Sequence, residues 1–247
     1  GVPSAGVHRL LMPAYTDRSK RMCVAALARL EGLLSQIEFD YRIIGGSAVL
    51  LVVEAPARGC PADHVGTLDV DIAVQRPTER EALQRVLLDS GGRQDPQNAI
   101  RIWIPVAVGD EDGEVPVDII TSDFVSLPPG QTSPPTLPPT ALLLSKMRPY
   151  ENKGAKGKDG YDAYMLLAHA AAEPEELAED AIGELPEAAA CELLHLIEVF
   201  FINKRRAARD AAMLLRDCRG ADRRAVIHHA VNLAERFAHR LRSLLPG

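Results

Sequence analysis

The chain has 247 residues, of which 47% are hydrophobic and 25% charged, a composition that excludes a disordered or fibrous protein. We find no apolar run of the ~18 residues that a membrane span needs and no signal-peptide pattern. The cysteines lie far apart without a C-x-x-C pair, which argues against a zinc site or a disulfide framework. These features predict a cytoplasmic protein with no membrane partner.

The formal net charge of −6 conceals an uneven distribution of charged residues along the chain. Residues 173–198 carry nine acidic side chains and no lysine or arginine, whereas residues 203–247 carry eleven basic and four acidic side chains. The basic segment has two interpretations: it is a surface for the phosphates of RNA or DNA, or it is an ordinary solvated helical face.

Hydrophobic spacing and turn residues divide the first half of the chain into alternating helices and strands. The predicted helices are 15–37, 47–55 and 77–90. The predicted strands are 41–44, 67–75, 99–108 and 115–123. Residues 47–55 could form a strand or a helix by composition. Ser47 follows a Gly-Gly pair and is a favourable N-cap, which favours the helix. The proline and glycine content of 56–66 indicates a loop, and an acidic turn joins the last two strands.

The second half of the chain is predicted to be helical. Residues 127–139 hold six of the 18 prolines and can hardly form a helix or a strand, so we expect a linker there. The predicted helices beyond it are 140–150, 158–171, 173–183, 186–202, 204–218 and 221–245. The sequence therefore predicts an α+β protein, with a small mixed or antiparallel sheet in a domain over 1–126 and a helical domain over 140–247.

Two carboxylates, Asp69 and Asp71, lie one residue apart within the apolar strand 67–75. Because side chains alternate along a strand, both acids face the same side of the sheet, opposite a face of apolar side chains. Like charges this close repel unless a cation lies between them, and Mg²⁺ prefers carboxylate oxygens. Asp118 occupies a similar apolar strand, and three acids could hold two metal ions. The alternative is a half-exposed sheet whose acids simply face water.

Upstream of these acids, Gly45, Gly46 and Ser47 form a turn that precedes the predicted helix. Glycine permits a left-handed backbone and the close approach of a ligand, and the first N–H groups of a helix favour an anion. A phosphate-binding turn beside a cluster of metal-binding acids suits a nucleoside triphosphate with Mg²⁺. The Walker A and G-x-G-x-x-G patterns are absent from the sequence, which excludes the P-loop and Rossmann types of phosphate site.

The order of a strand, Gly-Gly-Ser, a helix, an Asp-x-Asp strand and a single-Asp strand resembles the DNA polymerase beta-type nucleotidyltransferase superfamily. The segment 138–167 resembles the AbiEii/AbiGii-type nucleotidyltransferase toxins, in which a helical lysine precedes a Lys/Arg-Asp-x-x-Asp helix. Lys146 matches the first lysine. The second motif is matched by Lys158, Asp159 and Asp162.

The resemblance implies a nucleotidyltransferase in which an acceptor hydroxyl attacks the α-phosphorus of a nucleoside triphosphate and pyrophosphate leaves. Asp69, Asp71 and Asp118 would bind two Mg²⁺ ions, and Asp118 would also accept the proton of the hydroxyl. The residues that would bind the nucleotide are Gly45, Gly46, Ser47, Lys146, Lys158 and Asp162. Lys146 would act on the phosphates and is therefore counted with the three acids as catalytic.

The resemblance to the toxins further implies an RNA acceptor, such as the 3′ end of a tRNA, and a cognate antitoxin as partner. The basic segment 203–247 favours RNA, whereas the overall acidity favours a small cationic acceptor such as an aminoglycoside. A protein hydroxyl is a third alternative. Two hypotheses without catalysis also stay open: a nucleotidyltransferase-like module that only binds a nucleotide or a protein, and a structural domain that docks through its helical half.

The resemblance covers about residues 38–170, and the chain departs from the family pattern between Ser47 and Asp69. The 21 residues between them are more than usual, and the extra length falls in the predicted loop. A basic residue often precedes the Asp-x-Asp pair in the family. Arg58 and His64 are the nearest candidates for it in this sequence.

Overall fold

The computed structural model describes residues 16–54, 63–127, 129–130, 132–152 and 154–246, which form a mixed α+β fold. The strands are β1 Tyr41–Ile44, β2 Val70–Val74, β3 Arg93–Gln94, β4 Arg101–Val108 and β5 Glu111–Thr121. The helices are α1 Asp17–Leu34, α2 Gly45–Glu54, α3 Pro77–Asp89, α4 Pro139–Glu151, α5 Gly157–His169, α6 Pro174–Glu184, α7 Glu187–Ile197, α8 Arg206–Arg219 and α9 Arg223–Leu244. Most of the predicted loop 56–66, Arg58 included, lies outside the described residues.

The sheet has the strand order β1-β2-β5-β4-β3. β2 and β5 are parallel, and the other neighbouring strands are antiparallel, so the predicted mixed sheet is confirmed. The acidic segment predicted as a turn is mostly strand, because Glu111 already pairs with Val108 and only two residues remain to turn the chain. Gly109 makes this tight turn possible with its positive φ of 62°. β3 was not predicted, since two residues carry no periodic signal.

The alternation that the sequence predicts along the central strands is confirmed. Val70 and Ile72 of β2 and Val117 and Ile119 of β5 are fully buried. α1, α2 and α3 all pack against the sheet. The acids that alternate with these apolar residues therefore project from the opposite face of β2 and β5.

Two predicted helices differ from the structure at their ends. α2 begins at Gly45, so the prediction that Ser47 caps the helix is wrong. Ser47 instead lies buried in the first turn, where its hydroxyl donates to the carbonyl oxygen of Ile44 at 3.1 Å. The predicted helix 186–202 is divided, because α7 continues into a π-helical segment, Glu198–Asn203. Over the described parts of the chain, no helix is long and apolar enough to cross a membrane.

The proline-rich segment contacts the sheet. The N–H of Ile43 donates to the carbonyl oxygen of Pro135 at 2.8 Å, and the N–H of Leu137 donates to the carbonyl oxygen of Ile43 at 3.3 Å. Thr136 and Leu137 are buried. The described part of this segment therefore runs beside β1, while the division into two domains joined by a linker stays a prediction.

Part of the charge asymmetry of the sequence is compensated by ion pairs inside the helical half. Arg236 of α9 lies 2.6 Å from carboxylate oxygens of both Glu173 and Glu175, and Arg240 lies 2.7 Å from Glu179. A further pair joins α9 to the π-helical segment, between Arg242 and Glu198. The C-terminal arginines of the basic segment therefore bind the acidic segment, and they do not form an open basic surface.

Gly160 lies where α5 crosses α8, and the crossing leaves no room for a side chain. A Cβ there would lie 2.5 Å from the Tyr150 hydroxyl oxygen and 2.6 Å from the carbonyl oxygen of Ala207. We therefore expect Gly160→Ala to lower the free energy of unfolding by ~1–3 kcal/mol, measured by urea denaturation.

The matched control is Gly183→Ala in α6, where a Cβ meets nothing within 4 Å. This change should leave the free energy of unfolding unchanged or raise it by up to ~1 kcal/mol, because alanine favours a helix. Equal stability of the two variants would contradict the close crossing of α5 and α8.

Candidate active site

Three charged residues form a row across the sheet. Asp71 of β2 lies directly opposite Asp118 of β5, and Asp118 lies directly opposite Arg101 of β4. Opposed residues in neighbouring strands project to the same face. Asp69 joins this row just before β2 begins, and one carboxylate oxygen from each of Asp69, Asp71 and Asp118 lies within 4.8 Å of the others. The structure thus brings together the three acids that the sequence singled out.

The environment of the three acids leaves their negative charge incompletely balanced. Burial raises the pKa of Asp71 to about 7, and the neighbouring carboxylates of Asp69 and Asp118 add to this, against the opposing effects of Lys146 and Arg101. Such a shift means that the ionised carboxylate is unfavourable unless a cation is near. Three carboxylates in one cluster match the oxygen ligands of hard divalent cations, so the triad could hold a metal ion.

The predicted Gly-Gly-Ser turn lies against the triad. Gly45 has a positive φ of 67°, and a Cβ on it would lie 2.0 Å from Oδ2 of Asp71, so only glycine fits. A Cβ on Gly46 would lie 2.8 Å from Nζ of Lys158 and 3.0 Å from Oγ1 of Thr67. The first turn of α2, with its positive dipole end, therefore contacts both a carboxylate of the triad and a lysine.

The two predicted lysines converge on one buried carboxylate. Nζ of Lys146 lies 2.8 Å from Oδ2 of Asp162 and 3.6 Å from Oδ1 of Asp159. Nζ of Lys158 lies 2.7 Å from Oδ1 of Asp162, whose side chain is fully buried. The helical half thus delivers two ammonium groups to the same region as the acids of the sheet, with Asp162 holding both in place.

The pKa shifts in this cluster follow from burial and from the neighbouring charges. Burial alone would raise the pKa of Asp162, yet Lys146 and Lys158 outweigh it and hold the pKa well below its usual value. Burial alone would lower the pKa of Lys146, but Asp162 and Asp159 raise it above the ordinary value. Burial lowers the pKa of Lys158, and the charge of Lys146 adds to this against the effect of Asp162.

His64 lies near the end of the long insert, by which we mean the predicted loop 56–66, and connects it to the carboxylate of Asp162. It is fully buried, and its Nε2 lies 3.1 Å from Oδ1 of Asp162. Its Nδ1 accepts the N–H of Gly66 at 3.0 Å, so in the neutral ring the proton is on Nε2 and is donated to Asp162. The backbone N–H of His64 donates to Glu54 at the other end of the insert, which also pairs with Lys20. Glu54 and His64, which flank the undescribed residues 55–62, are thus hydrogen-bonded to each other, and His64 is also hydrogen-bonded to the site.

Three residues of the site were not assigned a role from the sequence. Arg101 forms a two-pronged ion pair with Asp118, with both hydrogen bonds at 2.7 Å. The Thr67 hydroxyl donates to Asp69 at 3.0 Å. His64 was named only as a candidate basic residue, and it binds Asp162 instead. Only the strand register could have indicated Arg101, because that register places it opposite Asp118.

No protein-family model and no curated protein matches the sequence. Among solved structures, JHP933 from Helicobacter pylori is similar over 94% of this chain and 96% of its own, at 12% identity and a TM-score of 0.56. A candidate nucleotidyltransferase from H. pylori is similar over 90% of this chain and 96% of its own, at 12% identity and a TM-score of 0.54. The chain shares their fold.

A third similar structure is an antigenic nucleotidyltransferase-like protein from Paracoccidioides brasiliensis. It is similar over 59% of this chain and 75% of its own, at 18% identity and a TM-score of 0.46. The two H. pylori structures support the fold that the resemblance predicted. The closer likeness to the AbiEii/AbiGii-type toxins stays a prediction.

The buried His64 predicts a specific pH dependence of stability. Burial lowers its pKa below the ordinary 6.5, with Lys158 contributing and Asp162 opposing. Below pH ~6.5 the unfolded chain therefore takes up a proton that the folded protein does not, and the free energy of unfolding falls by up to ~1.4 kcal/mol per pH unit. We expect His64→Gln to lack this component when urea denaturation is measured between pH 7 and pH 5.

The control is His228→Gln, since His228 is exposed on α9. Its unfolding free energy should follow that of the wild type across the same pH range. A constant difference between wild type and His64→Gln at every pH would contradict the assignment of a neutral, buried His64.

Proposed function

We propose that the protein is a Mg²⁺-dependent nucleotidyltransferase, which moves a nucleoside monophosphate from a nucleoside triphosphate to an acceptor hydroxyl and releases pyrophosphate. The observation that carries this proposal is the convergence of Asp69, Asp71 and Asp118 within 4.8 Å, beside a glycine turn and two lysines. Asp69, Asp71 and Asp118 would hold two Mg²⁺ ions. When bound, these ions would neutralise the charge that develops on the phosphate oxygens.

The residues of the chain would bind and orient the triphosphate. Lys158 lies against Gly46, so its ammonium group and the first N–H groups of α2 offer positive charge to the same phosphates. Lys146 is held in place by its ion pair with Asp162, and it is close enough to Asp71 to lower the pKa of that carboxyl group. These fixed groups would place the α-phosphorus in line with the acceptor oxygen, which favours reaction through positioning.

The transfer step forms one bond and breaks another. The acceptor oxygen bonds to the α-phosphorus, while the bond from that phosphorus to the bridging oxygen breaks and its electron pair leaves with pyrophosphate. The proton of the acceptor hydroxyl passes to a carboxylate of the triad, a role that the resemblance implies for Asp118. Asp162 is a positioning residue in this scheme, because it holds Lys146 and Lys158.

For the acceptor, we propose an RNA 3′ end such as that of a tRNA. Four basic residues at and just before the start of α8 support this, and we refer to Lys204, Arg205, Arg206 and Arg209 as the α8 basic cluster. They are exposed, and no carboxylate of the described residues forms an ion pair with them. The Arg206 guanidinium lies 5.3 Å from the ring centre of Tyr150, which is one helical turn from Lys146. A small molecule and a protein hydroxyl are the alternative acceptors, and an antitoxin partner stays a prediction from the resemblance.

Removing one acid of the triad tests the reaction. We expect Asp71→Asn and Asp69→Asn each to reduce Mg²⁺-dependent transfer at least about a hundredfold, because the developing charge loses its stabilisation. The measurement incubates the protein with each labelled nucleoside triphosphate, Mg²⁺ and total RNA, and follows both labelled RNA and released pyrophosphate.

The matched control is Asp112→Asn, which removes an exposed acid from the hairpin end of β5. It should retain wild-type transfer. Full transfer by both triad variants would overturn the proposed reaction. Nucleotide binding that ignores Mg²⁺, without pyrophosphate release for any acceptor, would favour a binding module.

The acceptor is tested by reversing charge in the α8 basic cluster. We expect Lys204→Glu combined with Arg205→Glu to weaken RNA binding and to reduce the slope of log affinity against log salt by roughly 1.4, for two lost phosphate contacts to a single strand. The control combines Arg223→Glu with Arg224→Glu, which lie beyond the other end of the 14-residue α8, roughly 20 Å away. Equal losses in both double variants, or none in either, would contradict this RNA surface.

A further inference from the structure

Asp118 differs from the other two acids of the triad, because it has a permanently charged partner. Nε and Nη2 of Arg101 donate to its two carboxylate oxygens, each at 2.7 Å. The side chains of Arg101 and Asp118 are mostly buried, at 28% and 15% exposure. A two-pronged arginine–carboxylate pair that is shielded from water is strong and directional. The backbone enforces it, since the two residues are directly opposed in the register of β4 and β5.

Arg101 is also the counterion that belongs to the triad. The three acids contribute three negative charges, and Arg101 contributes one positive charge in the same row of the sheet. Lys146 and Lys158 both form ion pairs with Asp162, although each also acts electrostatically on an acid of the triad. Arg101 therefore reduces the negative charge that the triad offers to divalent cations.

We propose that Arg101 is a positioning residue that competes with divalent cations for Asp118, and so weakens cation binding to the protein in the absence of nucleotide. Its guanidinium fixes the plane of the Asp118 carboxylate while the triad carries no cation. It also neutralises part of the negative charge that would attract a second cation. A bound triphosphate supplies that negative charge again. Cation binding is thereby coupled to nucleotide binding.

This inference rests on the proposed function, because it takes the triad to be a cation site. A purely structural Arg101 predicts the opposite effect of substitution. If Arg101 only held Asp118 in its rotamer, its removal would disorder a ligand and weaken cation binding. The direction of the change in affinity therefore distinguishes the two roles.

The test is calorimetric titration of the nucleotide-free protein with Mn²⁺. We expect Arg101→Gln to bind Mn²⁺ at least tenfold more tightly than the wild type. Arg101→Lys should lie between them, since an ammonium group cannot occupy both carboxylate oxygens in the same way. The matched control is Arg93→Gln, which removes an exposed arginine that pairs with Glu114 at 2.7 Å on the same sheet, and it should leave the affinity unchanged.

Two further measurements extend the test. A non-hydrolysable nucleoside triphosphate analogue should raise the Mn²⁺ affinity of the wild type more than that of Arg101→Gln. Without cation, Arg101→Gln should melt at a lower temperature than the wild type, because the repulsion is no longer compensated, and Mn²⁺ should raise its melting temperature by more. If Arg101→Gln does not fold, Arg101→Lys provides the same comparisons.

Unchanged or weaker Mn²⁺ binding by both Arg101 variants would overturn the role of Arg101. The proposed function would stand in that case, provided that the wild type still transfers nucleotide. A wild type that binds no Mn²⁺, with or without the nucleotide analogue, would remove the cation site itself and with it both proposals.

Discussion

Repulsion among three carboxylates on one face of the central strands is the constraint on which the rest of the site depends. Asp69, Asp71 and Asp118 approach within 4.8 Å, at a place where burial removes much of the water that would screen their charges. Positive charge must therefore come from the protein or from a ligand. Arg101 supplies it from the neighbouring strand, and the lysines of the helical half approach from another side. The three acids could therefore hold a metal ion.

The helical half is as necessary to the site as the sheet. Its two lysines would repel each other if Asp162 did not lie between them, fully buried, with His64 as a third partner. Through His64 the same carboxylate also anchors the long insert, whose other end is held by Glu54 and Lys20. The insert departs from the family pattern in length, yet its described end packs into the charge network. One buried carboxylate therefore joins α4, α5 and the described end of the insert.

Net charge along the sequence was a poor guide to the surface of the protein. The acidic and basic segments of the second half are separated in sequence, but α6 and α9 pack together and their charges pair. The exposed basic residues that remain include the α8 basic cluster, near the end of α4 that follows Lys146, and Arg223 and Arg224 at the start of α9. Because packing pairs part of the basic segment with acidic residues, the α8 basic cluster gives a more specific hypothesis about the acceptor than the whole segment does.

Local patterns in the sequence determined the α+β class, the helices and longer strands, and the acids Asp69 and Asp71 on one face, because alternation and helical spacing are properties of neighbouring residues. Only the tertiary structure decided that Asp118 lies opposite Asp71 and Arg101 opposite Asp118, since strand order and register join residues distant in the chain. The start of α2 at Gly45 was likewise decided by packing, because the glycine backbone fits against the Asp71 carboxylate. The charge balance at a buried site depends on side chains that are distant in the sequence, so no local sequence pattern predicts it.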